Sequence, residues 1–139
     1  MPLAAACLKN DAGEFTASAS RLLGAGSGLT PSGDDFAGGA LFARRLTGMD
    51  EGWQRATRHV VALAPSRTHA ISSTLLSNLA AGSSYAALHD LADAIAANDG
   101  AHAVGVHMQI LAGIGHSSGW DMLAGFISGL VGRLDFSGS

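Results

Sequence analysis

Apolar positions along this chain recur at helical spacing almost from end to end. Phe15, Ala19, Leu22 and Leu23 mark a helix from Glu14 to Leu23 that Gly24 stops. A second runs from about Gly33 to Leu46, closing on Arg44-Arg45, a pair suited to a negative helix C-terminus. Asp50 caps a third, Glu51 to Leu63, which Pro65 ends. Ser66 opens a fourth with Ile71, Leu75, Leu76 and Leu79 on one face and Gly82 behind it. Ser83-Ser84 opens a fifth, carrying Leu88, Leu91 and Ile95. A sixth covers His102 to about Gly113, and the last runs from Ser118 to Arg133. No run of four or more apolar residues alternates cleanly with polar ones, so no strand is expected. The expected fold is all-α: a single bundle of about seven helices over residues 1–139, with 1–13 and 134–139 loosely ordered.

Two stretches break this monotony. The first is Gly24-Ala-Gly-Ser-Gly28-Leu-Thr30-Pro31-Ser32-Gly33-Asp34-Asp35-Phe36; the second is Gly115-His116-Ser117-Ser118-Gly119-Trp120-Asp121 through Gly125. With Ser32 set over Ser118, both read Ser-Gly-x-Asp-x-x-x-Gly and open an apolar helix, an internal repeat. Ser32 and Ser118 have the positions of helix caps, with Asp35 and Asp121 three residues on as in a capping box. Glycine-rich turns feeding helix N-termini present free amides and a positive dipole end, a setting for phosphate or carboxylate. The two helices concerned are apolar on nearly every side and belong at the centre. Gly38, Gly39, Gly125 and Gly129, each costing about 1 kcal/mol relative to Ala in an exposed helix, imply that these two helices cross there in backbone contact. Such a crossing brings both capping loops to one region.

Composition narrows the function. Of 139 residues 47% are apolar and 14% charged, and the net charge is −3 without any basic run, which argues against nucleic acid. So weakly charged a surface points to burial against another chain, a copy or a different subunit. Cys7 stands alone, so there is no internal disulfide, and no apolar run reaches a membrane span. With no signal peptide in view, the expected location is the cytoplasm, with no membrane partner.

Candidate chemistry falls on three stretches. Asp35 and Asp121 read as capping residues that, where the helix starts converge, also bind a cation or orient a substrate amide. Asp34, with no capping duty, is a candidate for ligand contact. His116, in its loop, is a candidate proton donor, with Ser117 and Ser118 beside it. The backbone from Gly26 and Gly28 through Thr30, Ser32 and Gly33 is the candidate anion cradle. In Pro65-Ser66-Arg67-Thr68-His69, Arg67 falls in the first turn of the fourth helix, where its charge opposes the dipole; an arginine so placed can clamp an anion. The remaining arginines, Arg44 among them, read as solvated. The histidines lack metal spacing and no cysteine pair exists, so neither zinc nor another cofactor is expected beyond a cation at the aspartates.

Taken together, Gly-x-Gly-x-Gly-Leu-Thr-Pro-Ser-Gly-Asp-Asp-Phe, Arg-Thr-x-x-Ile-Ser and Ile-Gly-His-Ser-Ser-Gly-x-Asp-x-Leu-Ala-Gly resemble a bacterial family typified by the H subunit (AllH) of oxamate carbamoyltransferase. The resemblance covers about residues 15–133. It implies a subunit of an enzyme complex of allantoin breakdown that handles carbamoyl phosphate and a small carboxylic acid or amide. Members are usually about twice as long, with a further N-terminal region, and His69 stands where the motif leads one to expect asparagine. Two readings follow. Either the chain is an enzyme subunit that binds a small anion between the two loops, or it is a non-catalytic helical docking or sensing module whose glycines serve packing.

Overall fold

The computed structural model describes residues 2–25, 30–115 and 117–133. Those residues form eight α-helices and no strand: α1 (Pro2–Leu8), α2 (Ala12–Leu22), α3 (Ser32–Thr47), α4 (Glu51–Arg67), α5 (Ala70–Ala80), α6 (Ala86–Ala96), α7 (Ala101–Ala112) and α8 (Ser118–Arg133). The all-helical expectation holds, with one helix more than the seven expected. The extra element is α1, whose Leu3, Ala6 and Cys7 are fully buried. Asp50 caps α4 as expected, accepting from the Trp53 amide at 2.9 Å, and Asp11, to which the sequence assigned no cap, accepts from that of Glu14 at 2.9 Å at the start of α2.

Helix α3 is the axis of the molecule, buried without a break from Asp34 to Arg44. One side of it joins α1, α2, α4 and α5 in a cluster that includes Phe15, Ala37, Leu41, Trp53 and Leu76. From the other side Phe42 and Ala43 join Leu79, Leu88, Leu91, Leu111, Met122 and Phe126. Its most extensive contact is with α8. A methyl group built on Gly39 would stand 2.2 Å from the Met122 carbonyl oxygen, and one on Gly125 would stand 2.0 Å from that of Phe36. At Gly129 the corresponding distance to the Ala40 oxygen is 2.7 Å. Backbone therefore lies on backbone along this seam, at a separation no larger residue permits. Gly38 belongs to a different contact: its open side receives Leu79 of α5.

Three local expectations are corrected. Helix α4 does not stop at Leu63 but continues through Pro65 to Arg67, and α5 begins only at Ala70. A proline near a helix end forfeits one backbone bond and leaves the remaining turn intact. Arg67 is thus in a last turn, where its charge suits the dipole, and the electrostatic anomaly inferred for it does not exist. Ser32 is not a cap: Pro31 holds that position and its carbonyl accepts from the Asp34 and Asp35 amides at 2.9 and 3.1 Å. Arg44, read as solvated, is 1% exposed. It reaches the Cys7 carbonyl at 3.0 Å and the Asn10 side chain, and lies 4.1 Å from the centre of the Trp53 ring.

Replacement of Gly39 or Gly125 by alanine is expected to destabilise the protein by at least about 3 kcal/mol, since neither backbone can yield. Gly105, in mid-α7 with nothing near its open side, serves as the control. Gly105→Ala should stabilise by up to about 1 kcal/mol. Urea unfolding of the three variants tests both statements.

Candidate functional site

The crossing sets the first turns of α3 and α8 side by side. Thr30, just ahead of α3, and Ser118, the first residue of α8, share a hydrogen bond between their hydroxyls at 2.6 Å. Both hydroxyls lie against the carboxyl group of Asp35, which is 1% exposed, and Asp121 is close enough to act on it electrostatically. Four of the candidate residues thus come together from two distant parts of the chain. Neither serine is the cap of its helix. For α8 the Ser117 carbonyl takes the Asp121 amide at 2.9 Å, which leaves the Ser118 side chain to face Thr30.

Burial pushes the Asp35 carboxyl from its ordinary 3.8 up to about 7, against hydrogen bonding from Thr30 and Ser118, which lowers it. The charges of Asp121 and Asp34 add smaller upward contributions. One oxygen on each acid, Asp35 Oδ2 and Asp121 Oδ2, is buried without a hydrogen-bond partner among the described residues. Such atoms are uncommon in folded proteins and each calls for a physical reason.

Asp34 points away from this pair. Its Oδ1 accepts the Gly24 amide at 2.9 Å, and its Oδ2 accepts the Ser72 hydroxyl at 2.6 Å and that of Thr68. The ligand contact expected of Asp34 is therefore replaced by a structural bond set: it ties the start of the glycine-rich loop to α4 and α5. Gly24 has φ of +79°, and a side chain there would strike the Arg67 carbonyl oxygen at 1.8 Å, so only glycine fits. Nothing in the sequence spacing announced Thr68 and Ser72 as partners.

Arg67 is exposed and donates to the Ser20 carbonyl at 2.9 Å, at the end of α2 and outside the acidic pair. Ser32 and Ser117 are exposed at their helix starts. Gly33 and Gly119 serve packing, each pressed on a carbonyl at the end of the preceding helix: Leu22 at 3.1 Å and Leu111 at 1.8 Å from a built methyl group. Gly26, Gly28 and His116 lie outside the described residues. Cys7, buried, has its thiol pushed up to about 11 by burial and takes no part. Among the described residues, no three His, Cys, Asp or Glu side chains group as a metal site, and no helix is long and apolar enough to cross a membrane.

A second feature lies beside the first. Between α7 and α8 runs an apolar groove of about 390 Å³ lined by Met108, Ala112, Trp120, Leu123 and Ile127, with Trp120 63% exposed. The sequence reading assigned no role to Trp120.

The chain is thus an all-helical protein whose two central helices cross through glycine and bring together an acid from each. The chain belongs to the family described as oxamate carbamoyltransferase subunit AllH, whose model matches residues 22–130. The matched span contains both helix starts, Arg67 and the groove. No curated protein and no solved structure matches the chain.

Because the Asp35 carboxyl is held above its unfolded value, folding favours its protonated form. That contribution is present below the ordinary carboxylate range and is lost as pH rises through about 7. Compared with Asp35→Asn in chelator, the native chain should lose up to about 4 kcal/mol between roughly pH 4 and 8. Unfolding in urea across that range measures it. Asp34→Ala, which strands three donors, should cost about 3 kcal/mol or more at any pH near neutrality.

Proposed function

We propose that this chain is a subunit of a carbamoyltransferase-type enzyme complex and binds a small anionic metabolite where α3 and α8 begin. Carbamoyl phosphate, an oxamate-like carboxylate or phosphate is the ligand class, and carbamoyl transfer is the reaction that the family description suggests. The observation that carries the reading is the meeting of Thr30, Asp35, Ser118 and Asp121 at two adjoining helix N-termini. Amides and dipoles there favour a negative group, the hydroxyls offer donors, and a protonated Asp35 donates where an ionised one would repel. Asp121 orients the amide end of the ligand, His116 handles a proton, and Arg67 meets the anion from the loop edge. An internal repeat would make the pocket from two like halves. Its support is reciprocal: Gly39 meets Met122 and Gly125 meets Phe36, partners that the alignment of Ser32 with Ser118 also pairs.

A second reading, a docking module within such a complex, is favoured by the exposed Trp120 and the groove it borders. Calorimetry of the chain with carbamoyl phosphate, oxamate and phosphate distinguishes them. On the first reading at least one binds, and Ser118→Ala weakens it about tenfold through the loss of one hydrogen bond to a charged group. Absence of heat with all three, together with an effect of Arg67→Ala on stability alone, favours the module.

A further inference from the structure

The acidic pair poses an electrostatic problem that the anion reading leaves standing. Asp35 and Asp121 come from different helices, feel each other's charge and each bury an oxygen that nothing described satisfies. Neither Oδ2 takes a hydrogen bond from the other acid, so no shared proton joins these two atoms. Two buried acceptors on carboxyl groups that act on each other electrostatically, with no partner among the described residues, would both be compensated by one positive group held between them. The oxygens around them are all hard: two carboxylates, with the Thr30 and Ser118 hydroxyls alongside. Among the described residues that set lacks the imidazole and thiolate donors that zinc prefers, and it falls short of the six to eight oxygens of a calcium cage. It suits Mg²⁺, which commonly takes one or two carboxylates and fills its octahedron with water and ligand phosphate.

We propose that a divalent cation of the magnesium class binds between Asp35 and Asp121, with Asp35 Oδ2 and Asp121 Oδ2 as its protein ligands and the Thr30–Ser118 hydroxyl pair next to it. Such an ion neutralises the two acids and offers a phosphate or carboxylate a positive partner beside the two helix N-termini. The inference goes beyond the anion reading and does not depend on it, because the metal is tested alone.

Mn²⁺ serves as the probe, titrated into the full chain and followed by the electron paramagnetic resonance of the free ion. The expected result is one Mn²⁺ per chain at submillimolar affinity, displaced by Mg²⁺. Asp35→Asn and Asp121→Asn should each weaken it by at least about tenfold. Glu51→Gln, which alters a carboxylate exposed on α4, should leave it unchanged. Should Asp35→Asn not fold, the less buried Asp121→Asn decides the question. Native chain that binds no Mn²⁺ at millimolar concentration, or Asp121→Asn that binds it as the native chain does, overturns the proposal. Anion calorimetry run in chelator reads the earlier proposal separately.

Discussion

The seam where α3 lies on α8 is the constraint from which the rest follows. Two helices meet at ordinary distance when side chains separate them, and they meet far closer when glycine lets a carbonyl of one enter the space of the other. At Gly39 and Gly125 that entry is mutual. The cost is the poor helix propensity of glycine, and the return is rigidity: neither helix slides or rotates without driving backbone into backbone. The first turns of both helices are fixed with respect to each other by this seam, and so is everything those turns carry.

What they carry is polar in an otherwise apolar interior, and the division of labour between adjacent acids shows how finely position matters. Asp34 and Asp35 are neighbours, about 100° apart around the helix. One turns to Gly24, Thr68 and Ser72 and is satisfied; the other turns to Thr30, Ser118 and Asp121 and is not. The first holds architecture, and the second keeps capacity in reserve. Membership of the AllH family places this pair within the span that the family shares.

Much of this was readable in the residues, and the failures have physical causes. The crossing followed from glycines in helices that had no other use for them, and the meeting of helix starts followed from the crossing. Arg67 was misplaced because proline was taken as a stop, although late in a helix it removes only a single bond. The serines were taken as caps because the spacing fits a capping box, but Pro31 and the Ser117 carbonyl fill those positions, which leaves the Ser118 hydroxyl to face Thr30. Arg44 was legible and missed: it lies four and eight residues after Ala40 and Phe36, on a buried face, while Arg45 turns outward. Asp34's partners were not legible, since hydroxyls thirty-odd residues away are brought to it only by the packing of α5 on α3.

The buried guanidinium of Arg44 has a bearing on how the N-terminus is regarded. Helix α1 has seven residues, too few to hold its shape unaided in water, and its C-terminal carbonyl at Cys7 and the adjacent Asn10 are bonded to a cation on the central helix. Residues 2–10 are thereby fitted into the bundle. Trimming them would take from Arg44 two of the acceptors that let a full positive charge sit beside Trp53, and the wound would open on α3, far from the cut in sequence.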